Sequence, residues 1–398
     1  MSPYNFGRVL FLRVYVLCFC LPLRQVSGSN DTVGNHFEEH QRLLELLMNN
    51  SNVNRQILPA SHNNKPVNVE MGIKLRQIAN VDEKNQVMRL ILWLTFHWLN
   101  PHLKWNPAEY GGINSVHVDH DLFWFPDVAV FNEAGFESEN VILHHRLRTK
   151  MVITKDGYCT WQAPVTLNSY CTLDLTDFPF DEQECPVQIG SWTHPGEEIN
   201  MTYSDRNADL SHYIRSGEWI LQSATLSQDF GYYKPEISPH PHITLSLKIE
   251  RRQDYYKYQI IIPLALITIL VTYSFILPLN IQDQISIVLT IVVSISVYSV
   301  IISSALPKTA DPIPALLKFS FQMLILTVVS SIHIFLTSPL VTKISNFPKW
   351  LFKIESEDDS ENAHPKVATC VRIFSFLIFL SIFISFLVCL LEKKRCAY

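Results

Sequence analysis

The sequence predicts an extracellular β-sandwich, antiparallel and with a short N-terminal helix, followed by a four-helix transmembrane bundle. Three observations carry this. Apolar residues alternate with polar ones from about Pro66 to Glu250, as they do on half-buried strands. From Tyr255 onward four apolar stretches follow one another, each long enough to cross a bilayer as a helix. Within the first of these regions lie Cys171 and Cys185, a pair enclosing thirteen residues in a polar setting. At 398 residues the chain has room for two domains, and 47% hydrophobic with only 17% charged residues places part of it in lipid. A net charge of −5 gives no basic footprint for nucleic acid.

Residues 1–28 read as a secretory signal. Arg8 precedes the largely apolar Val9–Leu23, interrupted by Arg13, and Val26-Ser27-Gly28 supplies small residues for cleavage. Cys18 and Cys20 leave with that segment, and Cys159, set among apolar neighbours, reads as a free core thiol. Sequons at Asn30, Asn49 and Asn200 fit an extracellular face.

Residues 29–254 then form the sandwich. Glu38–Met48, with Leu43, Leu44, Leu46 and Leu47, predicts a short amphipathic helix. Val67, Val69, Met71, Ile73 and Leu75 alternate along a strand, Asp82-Glu83-Lys84-Asn85 is a turn, and Val87–Trp98 resumes as a strand. Ile243, Leu245, Leu247 and Ile249 form one face of another.

Residues 255–338 hold three spans, 339–366 a short acidic cytoplasmic loop, and 367–398 the fourth span with an extracellular C-terminus. Lys343, Lys349, Lys353 and Lys366 lie on the inner side; Lys393, Lys394 and Arg395 run against the usual charge bias.

Closing Cys171 to Cys185 removes unfolded-chain entropy worth roughly 3 kcal/mol in the simple model. Inside the loop, Phe178-Pro179-Phe180 forms an apolar knuckle within an acidic collar that includes Asp174, Asp177 and Asp181. Such a tip suits pressing on an apolar surface; an ordinary stapled hairpin is the plainer alternative.

The second span, Ile285–Leu306, places Ser286, Thr290, Val293, Val297, Ile301 and Ser304 along one side, with Asp283 just ahead. Around an axis formed by several copies, that side makes hydroxyl rings, an apolar constriction and an acidic inner mouth. Hydroxyls acting only as glue between helices account equally well for the pattern.

Taken together these segments resemble the pentameric Cys-loop ligand-gated ion channels, and within them the nicotinic acetylcholine receptor branch. The resemblance rests on Cys-x13-Cys with Phe-Pro-Phe-Asp, Trp124-Phe-Pro-Asp127, Gly190-Ser-Trp-Thr193, Gly217-Glu-Trp219, and Arg251 to Tyr256 entering Ile-Pro263. Pro307-Lys-Thr-Ala-Asp-Pro-Ile-Pro314 and Pro348-Lys-Trp350 extend it. It implies a hetero- or homo-pentamer of homologous subunits in the plasma membrane at a synapse. It also implies a small cationic transmitter such as acetylcholine, monovalent cations passing the pore, and neither enzymatic chemistry nor a cofactor.

On the principal face of a subunit interface, the resemblance implies Trp192, Phe131 in place of the usual tyrosine, Tyr233, and His240 where a second capping tyrosine is expected. On the complementary face it implies Trp93, with Ile153 and Gln162 beside it. Coupling to the pore is implied for Asp82, Glu83, Phe178, Pro179, Phe180, Asp181, Arg251, Pro307, Asp311 and Pro314.

Two departures from the pattern stand out. Pro235 and Glu236 replace the adjacent cysteines of alpha-type subunits, which makes this a non-alpha type, and Val293 replaces the usual constriction leucine. Asp283 and Gln284 also depart from the usual glutamate and basic neighbour, yet no Pro-Ala signature of the anion branch precedes the span.

Three functions follow as alternatives: a channel-forming subunit, an accessory or non-conducting partner, or a channel gated by another ligand. A membrane-anchored ectoenzyme is disfavoured, because nothing assembles a nucleophile–base or metal motif.

Overall fold

The computed structural model describes residues 30–50, 54–59, 65–135, 142–232, 238–275, 281–305, 313–345 and 357–391. The predicted signal segment, Tyr233, Pro235, Glu236, Pro307, Asp311 and Pro348–Trp350 lie outside the described residues. The backbone alone is described at Asn30.

Helix α1, Asn30–Asn49, is longer than the apolar spacing predicts. Leu43 and Leu47, one turn apart, carry its buried face. Ten strands follow among the described residues: β1 Val67–Asp82, β2 Val87–Lys104, β3 Ser115–Asp119, β4 Val128–Val130, β5 Lys150–Thr154, β6 Asp156–Tyr170, β7 Glu182–Ser191, β8 Ile199–Tyr203, β9 Trp219–Gly231 and β10 His240–Arg251. They make a six-stranded sheet in the order β3-β5-β6-β2-β1-β8 and a four-stranded sheet in the order β4-β7-β10-β9. The alternation of burial along β2 and β6 puts Phe96, Trp98 and Trp161 in one core with Val187, Ile189, Leu245 and Leu247 of the other sheet. One pairing differs from the antiparallel expectation: β8 runs parallel to β1, with Val69 opposite Met201. The Cys171–Cys185 disulfide is formed, and Cys159 is a buried free thiol whose pKa burial pushes up to about 12.

Among the described residues, four helices beyond β10 are long and apolar enough to cross a membrane: Asp254–Ser274, Gln282–Ser304, Ala315–Leu336 and Cys370–Leu391. The first contains a π-turn at Lys257–Ile261 just before Pro263. Proline has no N–H for the helical ladder, and a wider turn accommodates it. The helices extend further into the connection between the third and fourth spans than the sequence predicts, with the third reaching Ser345 and the fourth beginning at Glu357. The run Glu357-Asp358-Asp359, assigned to a loop by its charge, lies within the fourth helix.

Candidate ligand interface, coupling junction and pore face

Trp192 lies just past the end of β7, and its ring is 53% exposed. Two motifs distant in sequence combine to hold it there. Asp127 Oδ1 accepts from the Ser191 hydroxyl at 2.5 Å, and Oδ2 accepts from the Thr193 amide at 2.7 Å and hydroxyl at 2.6 Å. The Trp192 amide donates to the Asp127 carbonyl at 3.1 Å. Asp127 thus clamps both neighbours of the tryptophan and leaves its indole outward. Phe131 meets Trp192 with ring centroids 6.0 Å apart and His242 at 5.5 Å. Gly190 makes this approach possible: a Cβ there would stand 2.8 Å from His242 Cβ and 3.0 Å from Phe131 Cζ.

Two expectations need correction. His240 is not an exposed cap residue; it is 5% exposed at the start of β10, opposite Gly231. His242, two residues further on the same strand face, is the histidine placed against Phe131, and sequence reasoning missed it. Ile153 is 0% exposed and belongs to the sandwich core, because period-two alternation turns it inward while Val152 and Thr154 face out. Trp93 and Gln162 do face outward, on neighbouring β2 and β6, with Gln162 opposite Thr95. Trp93 also carries a guanidinium: Arg76 Cζ lies 4.5 Å from its ring centroid. Of the sequons, Asn49 is exposed at the end of α1, whereas the Asn200 side chain is half-buried on β8 and bonded to Asn68 and Gln228.

At the other end of the sandwich Arg251, fully buried at the end of β10, gathers three segments. Its Nε and Nη2 reach Asp181 at 2.8 and 3.2 Å, and its Nη1 reaches Glu83 at 2.7 Å and Glu218 at 3.0 Å. The guanidinium also lies 4.2 Å from the Trp219 ring centroid and 4.9 Å from that of Phe178. Burial works against its charge, but the hydrogen bonds and fields of Asp181 and Glu83 outweigh it, and its pKa is raised. Gln183 Nε2 donates to Asp181 Oδ2 at 2.7 Å, satisfying the buried carboxylate further. Glu218, Trp219 and Gln183 were not predicted as partners, although Glu218 and Trp219 stand in a motif the sequence had singled out.

Asp82 acts differently from Glu83. Its side chain accepts from the Lys84 and Asn85 amides and shapes the turn between β1 and β2, and its pKa is lowered chiefly by the Asn85 amide. The Phe178–Pro179 peptide is cis, and Phe178, Pro179 and Phe180 are all buried. The loop caps the third span directly: the amides of Ala315 and Leu316, just past Pro314, donate to the carbonyls of Thr176 at 2.9 Å and Phe178 at 3.3 Å. First-turn amides of a helix have no partner within it, so the loop supplies acceptors the helix lacks.

On the second helix, Ile281–Ala305, one side is buried through Val288, Ile291, Ile295 and Ile302. Asp283, Ser286, Thr290, Val293, Val297, Ile301 and Ser304 are exposed. Ser286 and Thr290 donate to carbonyls one turn back, at 2.8 and 2.9 Å, and Ser304 donates to Ile301 at 2.8 Å. Their oxygens therefore have lone pairs left to offer outward. Gln284 is buried and donates to the Ser274 carbonyl at 3.2 Å, tying this helix to the end of the first span.

Comparison with known proteins agrees with this architecture. Residues 40–253 match the neurotransmitter-gated ion-channel ligand binding domain, more than half of the 398-residue chain. The chain is 33% identical to the neuronal acetylcholine receptor subunit alpha-5 of Bos taurus over 282 residues, covering 71% of this chain and 58% of the relative. It is 32% identical to subunit non-alpha-2 of Carassius auratus over 278 residues, covering 70% and 59%. With subunit alpha-2 of Pan troglodytes it shares 30% over 347 residues, covering 83% and 64%. The chain thus spans about three fifths of the length of these relatives. The ligand-binding-domain match, the closed cystine loop and the four apolar helices together show that this chain belongs to the Cys-loop family of neurotransmitter-gated ion-channel subunits, in its nicotinic acetylcholine receptor-like branch.

Proposed function

We propose that the chain is one subunit of a pentameric, transmitter-gated, cation-selective channel of the plasma membrane, with both termini outside and a place at synapses. The carrying observation is the exposed face of the second helix. Hydroxyls, valines and an acidic first turn are left outward while the opposite side packs against its own bundle. Repetition around a five-fold axis converts this face into a lining. Hydroxyls whose protons are committed to helix carbonyls present lone pairs, and a ring of Asp283 carboxylates at one mouth concentrates cations. Val293 and Val297, 63% and 54% exposed, supply an apolar constriction able to close by dewetting.

The transmitter, a small quaternary ammonium such as acetylcholine, binds between Trp192 and Phe131 of one subunit and Trp93 and Gln162 of the next. Aromatic faces attract an ion that has no N–H to donate. Binding opens the pore only by its differential affinity for the two states. The route lies through β10 and Arg251 to the cystine loop, and from the loop carbonyls to the third span. An accessory role is the second reading, favoured by Pro235 and Glu236 where alpha-type subunits carry adjacent cysteines.

Agonist-evoked currents with ion substitution, recorded with and without an alpha-type partner, test the proposal. Asp283→Ala is expected to lower cation conductance or shift the reversal potential. Unchanged conductance and selectivity would reject the acidic ring, and absence of any contribution to current would favour the accessory reading.

A further inference from the structure

The complementary face already holds a cation of its own. Trp93 lies on β2 opposite Lys74 of β1, and its ring is 38% exposed on the outer side of the sheet. Arg76, two residues beyond Lys74 on the same strand face, reaches diagonally across the strand pair. Its Cζ lies 4.5 Å from the centroid of the Trp93 ring. The guanidinium is anchored at a second point, since its Nη1 donates to the His212 carbonyl at 3.0 Å. The segment carrying His212 is itself fastened to β1: the Ile214 amide donates to the Arg76 carbonyl at 2.8 Å, and Lys74 pairs with Asp209 at 3.2 Å. That pairing engages the Asp209 carboxylate with Lys74. The His212 ring flanks Trp93 at 5.9 Å. A planar guanidinium over an indole is the arrangement by which an aromatic face takes a cation.

We infer that Arg76 is a tethered competitor at the ligand interface, a specificity-determining residue that holds the π-face of Trp93 against quaternary ammonium ions. This rests on the reading that Trp93 faces the transmitter. An incoming ammonium must displace the guanidinium or share the ring with it, and their like charges oppose sharing. The contact is worth a factor of roughly three to thirty in apparent affinity, from the strength of partly exposed to desolvated cation–π pairs.

The test is binding of radiolabelled acetylcholine to membranes from cells expressing the full chain with an alpha-type partner, at matched surface expression. Arg76→Gln and Arg76→Ala are each expected to tighten binding about three- to thirty-fold. Arg76→Lys, which keeps a cation on the strand, is expected to recover most of the original affinity. In a Trp93→Ala background, Arg76→Gln is expected to change nothing. Unaltered affinity in Arg76→Gln and Arg76→Ala, with Trp93→Ala still weakening binding, overturns the inference and leaves the interface reading standing. If Trp93→Ala has no effect either, both fall.

Discussion

Arg251→Met removes the buried cation shared by Asp181, which is itself buried, and by the more exposed Glu83 and Glu218. Asp181 is 2% exposed, and without Arg251 it retains the Gln183 amide but no compensating charge. Glu83 and Glu218 lose the same partner, and the rings of Phe178 and Trp219 lose the guanidinium between them. Breaking a buried pair from one side costs about 3–5 kcal/mol, because an uncompensated charge is left behind. For a sandwich of this size, that lowers the thermal midpoint by roughly 6–20 °C. Thermal unfolding of the detergent-solubilised full chain, followed by tryptophan fluorescence, measures it. Adding Asp181→Asn to Arg251→Met is expected to restore a large part of the loss, since the buried charge is then gone and Gln183 can still donate to the amide oxygen. A midpoint within about 3 °C of wild type for Arg251→Met alone, or no recovery in the double variant, would falsify the view that Asp181 depends on Arg251.

Two further outcomes concern the sandwich. Gly190→Ala places a methyl 2.8 Å from His242 Cβ and 3.0 Å from Phe131 Cζ, so destabilisation of about 1–3 kcal/mol is expected together with weaker acetylcholine binding. A variant of wild-type stability and affinity would show that the strand pair yields easily. His144 has its pKa lowered from 6.5 to about 4, first by burial and then by His145 and His120. The folded protein keeps this ring neutral, so the unfolded chain takes up the proton first. The stability it contributes is whole above pH 6.5 and drains away as pH falls towards 4. The thermal midpoint is therefore expected to fall between neutral pH and pH 5 less steeply in His144→Gln than in wild type; identical slopes would count against it.

Much of the architecture was legible because it depends on local pattern. Period-two alternation reports which side of a strand is buried, and charge-free runs report length in lipid, so the sandwich and four spans followed without tertiary information. The cystine loop and its apolar knuckle were equally plain. Alternation does not report strand partners. The parallel seat of β8 beside β1 was therefore invisible, and Ile153 was assigned to an interface when its parity turns it into the core. His240 was placed at the cap, and His242 overlooked, for a similar reason, since a position counted along the chain carries no information about which side chain Gly190 admits next to Phe131.

What the sequence determined by itself is the membership of the chain in its family, the order of its elements and the chemical types at the candidate interface, junction and pore face. The motifs that carry each are short runs of neighbouring residues, even where the runs themselves lie far apart. Only the tertiary structure decided who meets whom. Arg251 joins Glu83 across 168 positions and Asp181 across 70, and Asp127 holds Thr193 across 66. The cystine loop lends its carbonyls to the first turn of the third span. Arg76 lies over Trp93 because register places β1 beside β2. Such contacts are set by strand pairing and by the need to compensate buried charge and unpaired backbone groups, which no reading of local periodicity contains.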